Sequence, residues 1–323
     1  MLALRAGQSI VPVLMRDRRQ QLHDLYGFDF PDDFFRFWEF VNRLQPLEPL
    51  KALSDLDIGL VGPFEVLAGR FDQRTPRYSI LLHWRYIFDP PEFFSVFAGG
   101  GDGLHAGYYL DDPANQAGCV ASYYAHDVFE MSVDGDDLFE CVRLWLEEDQ
   151  GDSELDHGYG LIDDRAHEET LAKISAFRHS LLSFGTQERH EVGAAYVDRY
   201  SGLAPHRGVV VAETVENMGI VVPPESYRPL SLADDDLLPY LSRTDDPISL
   251  VEEARRALRE GFPGTALKLG KDLWAIGGER HTEYAYELLD AAYAALGREV
   301  LRKVLRIHRE NRELPSVDIL DNE

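Results

Sequence analysis

The sequence predicts an α+β protein. Its N-terminal half reads as a mixed or antiparallel sheet with flanking helices, and its C-terminal half as mostly helical with a small β-hairpin. Two observations predict this class. β-rich runs separated by Gly and Pro turns fill the region 59–124, between segments of helical periodicity. From residue 247 onward, apolar residues recur at helical spacing in almost every segment.

The N-terminal half opens with a helix predicted over 29–44. Pro31 suits a first helical turn, and Asp32 and Asp33 suit the positive end of the helix dipole. Aromatic and aliphatic residues between 34 and 41 give this helix a wide apolar face, so we expect it to be buried. Further predictions are strands over 59–67, 78–88, 105–110 and 119–124 and a helix over 136–148.

An acidic, Gly-bearing stretch of weak periodicity follows the first half. We therefore predict an N-terminal α+β domain of residues 1–150, an acidic linker of 151–168 and a mainly helical domain of 169–323. The predicted helices of the last domain cover 169–182, 247–260, 266–276, 282–296 and 298–311, and its hairpin strands cover 209–214 and 218–222. The tail beyond Pro315 is expected to fray.

Composition narrows the function classes. The chain of 323 residues has a net charge of −25, which opposes direct nucleic-acid binding and favours basic partners, although solubility alone also explains it. The two cysteines, Cys119 and Cys141, support no disulfide framework and indicate a reducing compartment. No apolar run reaches about 18 residues, so we predict no membrane span and a cytoplasmic protein, nuclear if the source is eukaryotic. The preference for Arg over Lys indicates a GC-rich bacterial genome as the source.

Glu260 is the first candidate for chemistry. Gly261 is a natural left-handed stop and Pro263 prevents a helix from continuing, so Glu260 lies at the last position of its predicted helix. The negative end of the helix dipole disfavours a charged carboxylate there. This is expected to raise the pKa of Glu260, and a raised pKa suits a general base. A surface glutamate at a frayed helix end explains the same pattern.

The run from His83 to Phe94 is the most distinctive motif, since it joins an aromatic stretch to Asp89-Pro90-Pro91. We expect Arg85 to be a buried or half-buried pairing residue and Asp89 to cap the turn into the prolines. His83 and His105 are isolated histidines, and no ligand spacing predicts a metal site.

Five ordered segments resemble the histone PARylation factor family, whose members are accessory proteins that complete the active site of poly(ADP-ribose) polymerases. The most specific segment contains His83, Trp84, Arg85, Asp89, Pro90 and Pro91. The others lie at 59–69, 105–113, 219–230 and 267–274, and the last carries Asp272 within a Leu-x-Leu-Gly-x-Asp-Leu-aromatic pattern. The resemblance covers roughly residues 20–310.

The resemblance implies roles for single residues. Glu260 matches the family's catalytic glutamate, which enters the polymerase active site and helps to deprotonate the acceptor serine. Arg259 stands where the family has an aspartate, which changes the surface offered to the partner, and we predict that Tyr227, Arg228 and Arg259 bind the partner. Arg228, after Tyr227, matches an arginine that engages the polymerase. The residues alone favour another arrangement, in which Tyr227 covers the core and Arg228 pairs with one of the acids at 234–236.

The resemblance implies an accessory factor that is no enzyme on its own. It would bind a poly(ADP-ribose) polymerase-type transferase, supply Glu260 to a composite site and direct ADP-ribose to serine. The transferase would hold the NAD, since this sequence has no cofactor motif of its own, and basic proteins such as histones would be acceptors. The alternative is a non-catalytic adaptor or immunity-like binding module on the same scaffold, which Arg259 favours. A free-standing hydrolase or transferase has only scattered acids to support it.

Overall fold

An antiparallel meander of five strands, in the order β1-β2-β3-β4-β5, forms the centre of the N-terminal half. The computed structural model describes residues 11–99, 101–126, 130–185, 207–244 and 246–322. The strands are β1 (Ile58–Leu60), β2 (Phe93–Gly99), β3 (Leu104–Asp112), β4 (Ala117–Tyr124) and β5 (Ser132–Gly135). Tyr108 of β3 lies opposite Phe94 of β2 and Val120 of β4. The α+β class and the antiparallel sheet are confirmed.

Helices surround this sheet and make up most of the C-terminal half. They are α1 (Val11–Tyr26), α2 (Asp32–Leu44), α3 (Pro63–Leu67), α4 (Leu138–Gly158), α5 (Asp164–Gly185), α6 (Asp234–Leu241), α7 (Ile248–Arg259), α8 (Pro263–Ile276), α9 (Glu279–Leu296) and α10 (Glu299–Glu310). Helix α2 begins one residue after Pro31, which takes the N-cap position. None of the described helices combines the length and apolarity that crossing a bilayer requires.

Two of the predicted strands are wrong. The first ends at Leu60, because Gly62 turns the backbone at a φ of 59° and Pro63 then starts α3. The second, over 78–88, is a 3-10 turn followed by irregular chain, and Trp84 adopts a φ of 55° that no strand tolerates. The apolar residues of this run are buried because the turns direct them into the core, and they do not alternate between two faces as in a strand. The second sheet strand, β2, begins only after Pro90 and Pro91.

Two other segments differ from expectation. The acidic stretch 151–168 is mostly helical, because α4 runs on to Gly158 and α5 begins at Asp164, and the rings of His157 and His167 stack 4.5 Å apart across the turn. The division into domains stays a prediction. In place of the hairpin, the structure has a single antiparallel bridge between Ala212 and Ile220.

The tail beyond Pro315 does not fray as expected. The carbonyl of Val317 accepts a hydrogen bond of 2.8 Å from the Trp84 amide, and the Ile319 side chain is fully buried. Apolar burial together with a backbone bond outweighs the entropy that usually frees a chain end.

One hydrophobic core runs through both halves. Its aromatic centre lies between α2 and the sheet, where the rings of Phe34 and Phe64 stack 4.4 Å apart and Phe37 meets Phe97 at 5.5 Å. A smaller cluster on other sheet residues includes Tyr109 and Met218, so residues of the second half cover part of the sheet. The two halves are therefore packed on each other, and any surface that both contribute to has a fixed geometry.

Candidate functional site

Arg228 and Glu260 meet at the surface, although 32 residues separate them in the chain. One guanidinium nitrogen of Arg228 lies 2.7 Å from Oε2 of Glu260, and the two side chains are 42% and 46% exposed. Glu260 is the C-cap residue of α7, and its amide donates to the Arg256 carbonyl at 3.0 Å. Gly261 then reverses the chain at a φ of 93°. The predicted helix end is thus confirmed, and it leaves the carboxylate exposed.

The backbone of Arg228 is anchored to the first turn of α8. The buried hydroxyl of Thr265 accepts a bond from the Arg228 amide at 3.1 Å and donates one to the Arg228 carbonyl at 2.6 Å. The guanidinium also lies over the Phe262 ring, 4.5 Å from its centroid. A Cβ on Gly264 would stand 3.0 Å from the Ser226 carbonyl oxygen, so a residue without a side chain allows this close approach.

The other predicted interface residues surround this pair. Tyr227 is half-buried against the core, as the alternative arrangement expected. The pairing of Arg228 with the acids at 234–236 is wrong, because Arg228 pairs with Glu260 and Asp234 pairs with Lys268 at 3.1 Å. Arg259 is exposed and forms no ion pair with any residue that the structure describes.

Asp272 lies beneath the site as a structural residue. Its carboxylate is fully buried, with one oxygen 2.9 Å from Lys268 Nζ and the other accepting the Val215 amide at 2.9 Å. Burial raises the pKa of Asp272 to about 6, and the Lys268 charge opposes that rise. The motif residue therefore ties the 213–217 loop to α8 and faces no solvent.

His83 and Trp84 converge on a buried acid that sequence reasoning missed. Oε2 of Glu65 lies 2.5 Å from His83 Nε2 and accepts bonds from Trp84 Nε1 at 2.7 Å and the Gly62 amide at 3.0 Å. Glu65 is 3% exposed. Its position two residues after Gly62-Pro63, where a capping acid is favoured, is the one sequence signal for it.

The rest of that motif is also internal. Arg85 is buried as expected, but its hydrogen-bond partners are backbone carbonyls instead of a carboxylate: those of Leu81 at 3.1 Å, Asp89 at 3.4 Å, Pro90 at 2.9 Å and Phe93 at 2.5 Å. These bonds hold the chain as it passes through Pro90 and Pro91 into β2.

Asp89 caps the turn that precedes the two prolines. Its Oδ2 accepts the Tyr86 amide at 2.9 Å, and its Oδ1 meets His105 Nε2 at 2.9 Å and the Tyr123 hydroxyl. His83 and His105 serve different acids. Within the described ranges, no group of three His, Cys, Asp or Glu residues is placed to hold a metal ion.

A second buried polar cluster joins the two halves and was not predicted. Lys271 Nζ lies 2.8 Å from Oε1 of Glu216 and donates to the Gly219 carbonyl at 2.6 Å. Tyr293 of α9 donates to Oε1 of Glu92, next to β2, at 2.7 Å. Burial raises the pKa of Glu92, which the Lys271 charge opposes. The charged residues Lys268, Lys271 and Asp272 on an otherwise apolar helix were the available signal for this cluster.

Comparisons with known proteins show which family the chain belongs to. The sequence profile described as histone PARylation factor 1 matches residues 17–312. A protein of that name from Mus musculus is 27% identical over 94% of this chain and 89% of its own length. The namesakes from Bos taurus and Danio rerio are 27% and 26% identical, again over 94% of this chain. Both the spread of the match and the order of its motifs lead to one conclusion: this chain belongs to the histone PARylation factor 1 family.

Proposed function

We propose that this protein is an accessory factor for protein ADP-ribosylation. It binds a poly(ADP-ribose) polymerase-type transferase through the surface around Arg228 and supplies Glu260 to a composite active site that modifies serine. The observation that carries this proposal is the exposed Arg228–Glu260 pair, held at 2.7 Å on rigid elements of a chain in this family. Histones are the acceptors that the names of the relatives suggest.

The proposed chemistry needs only a carboxylate and a short path to the acceptor. A serine hydroxyl is a weak nucleophile, and a positioned carboxylate that accepts its proton contributes about 10²–10⁴-fold to such reactions. Glu260 takes the proton as the serine oxygen bonds to the ribose carbon of NAD, while the bond from that carbon to nicotinamide breaks. The transferase holds the NAD, so this chain contributes the base alone.

Arg228 has a second task in this proposal. In the free protein its guanidinium occupies Oε2 of Glu260. An acidic group on the transferase that attracts Arg228 would free this oxygen to face the acceptor. Arg and Tyr are enriched among the residues that dominate binding energy, so Arg228 beside Tyr227 fits an interface anchor. Docking would then release the Glu260 oxygen from Arg228 in the same event.

The test measures transfer of labelled ADP-ribose from NAD to a serine-containing peptide by a polymerase-type transferase. Reactions contain no factor, the wild-type protein or the isosteric variant Glu260→Gln. Glu279→Gln, which removes a charge at an exposed position on α9, is the matched control. We expect Glu260→Gln to bind the transferase normally and to lose stimulation by a factor of about 10²–10⁴, whereas the control keeps it.

A non-catalytic binding module is the second candidate, and Arg259 favours it. This exposed cation stands beside Glu260, at the position where the resemblance implies an aspartate. On this reading the protein alters its partner by binding alone. Equal stimulation by wild type and Glu260→Gln would establish the binding module and reject the composite site.

A further inference from the structure

A second surface, on the N-terminal half, has the features of a peptide-binding cleft. It lies between the C-terminal part of α4 and the sheet, and it encloses about 730 Å³, within the range of roughly 300–1,000 Å³ of ligand clefts. Its apolar lining includes Leu104 and Tyr124 from the sheet and Trp145 and Leu155 from α4. The cleft contains neither Arg228 nor Glu260, so the site described above does not account for it.

Two apolar side chains of this cleft are exposed to solvent. Tyr124, at the end of β4, is 47% exposed, and Leu155, on α4, is 58% exposed. Trp145 forms the base, where its ring packs edge-on against Phe97 at 5.6 Å. Large apolar groups that line a concave surface while remaining in contact with water mark an interaction site more often than scattered single residues do.

The charged residues that line the cleft are all acidic among the residues that the structure describes. Its acidic lining residues are Asp134, Glu147, Glu148, Asp149, Asp152 and Glu154, and no Lys, Arg or His occurs among the described residues that line it. Arg143, outside the cleft, pairs with Glu147 at 2.8 Å, and Gln150 donates to Glu154.

The acids Asp149 and Asp152 lie one helical turn apart at the rim. Partial burial and then the charge of Asp152 raise the pKa of Asp149. Like charges at this spacing repel each other, and a bound cation relieves that repulsion.

We propose that this cleft binds a basic peptide segment, in which an apolar side chain enters between Tyr124 and Leu155 while flanking Lys or Arg residues meet the acids of α4. Charge complementarity selects this occupant. A second copy of this chain, with a net charge of −25, and a nucleic acid are both repelled. If the proposed function holds, the segment belongs to the acceptor protein. That assignment rests on the proposed function, but the binding does not.

The test is direct binding without any transferase, so failure of the composite-site proposal does not affect it. The probe is a fluorescein-labelled 12-residue peptide of alternating Lys and Leu, followed by anisotropy at low and at physiological salt, and a second peptide carries Gly in place of Leu. The variants are Asp149→Asn/Asp152→Asn and Leu155→Ala. The matched control, Asp235→Asn/Asp236→Asn, removes two exposed charges at the start of α6.

We expect the cleft double variant to weaken binding about threefold to tenfold, as two partly exposed ion pairs allow. The control should change the affinity less than about twofold. Replacing Leu with Gly in the peptide should weaken its binding to the wild type, and it should weaken binding to Leu155→Ala by a smaller factor. Equal weakening by both double variants would show attraction by net charge and overturn the proposal. Two other results would also overturn it. One is the absence of peptide binding, and the other is a dimer, detected by sedimentation, that the cleft double variant abolishes and the control does not.

Discussion

Replacing Lys271 with methionine tests how much the buried ion pair of Lys271 with Glu216 contributes to the stability of the protein. The side chains of Lys271 and Glu216 are 2% and 1% exposed, with Nζ and Oε1 2.8 Å apart. Removing one partner of such a pair leaves an uncompensated buried charge, at a cost of about 3–5 kcal/mol. The variant also loses the 2.6 Å bond to the Gly219 carbonyl. Since domains are typically stable by about 5–15 kcal/mol, this is a large fraction of the total.

The measurement is the free energy of unfolding from urea titration, followed by fluorescence and by circular dichroism. Lys271→Met should lower it by about 3–5 kcal/mol, and adding Glu216→Met should restore at least about half of that loss, because neither charge of this pair then remains buried. Lys303→Met is the matched control, since Lys303 is an exposed lysine on α10 and surface changes stay within about 0.5 kcal/mol. Separate transitions for the two probes would require a three-state fit.

Two results would refute this reasoning. If Lys271→Met unfolds within about 1 kcal/mol of wild type, the ammonium and carboxylate are not desolvated together as the distances indicate. If the double variant is as unstable as the sum of the two single variants, the residues act independently and the pair couples nothing.

Three further predictions concern the surface and the N-terminal half. Arg228→Glu should place two acids at one point and abolish transferase binding in a pull-down assay, whereas Arg259→Asp should keep binding; loss of binding in both would assign it to general charge. Thr265→Val should lower stability by about 1–3 kcal/mol, because two bonds to the Arg228 backbone disappear, while Thr265→Ser should keep them. Burial raises the pKa of Asp33 to about 6, above its usual 3.8, so the folded state holds this proton more tightly and the contribution of Asp33 to stability falls as pH rises from about 4 to 6. Asp33→Asn should flatten that part of the urea-midpoint profile, and an unchanged slope would contradict the assignment.

Local pattern was enough for the last four helices and for two of the strands, but it missed α6 (Asp234–Leu241). Gly261 and Pro263 mark the end of α7 and the start of α8 by backbone chemistry alone, so the helix end at Glu260 followed without any tertiary information, whereas its exposure did not. Strands β3 and β4 were found because turn residues bound each of them.

The same reasoning failed where burial does not follow a period. Residues 78–88 are rich in apolar and aromatic side chains, yet they form turns around Arg85, whose guanidinium donates to four carbonyls. The strand that does lie beside them, β2, follows Pro91 and carries consecutive buried residues, so it shows no alternation to detect. The acidic segment after Gln150 looked like a linker because its charges hide the helical stripe.

By itself the sequence determined the family, the α+β class and the position of Glu260 at a helix end. Motifs, periodicity and helix stops depend only on residues that are close together in the chain. Only the tertiary structure decided that Arg228 faces Glu260 and not the acids of α6, that Lys271 neutralises Glu216, and that α4 and the sheet enclose an acidic cleft. Each of these depends on the distance between groups far apart in the chain. That distance is set by how the helices and the sheet pack, which no local pattern specifies.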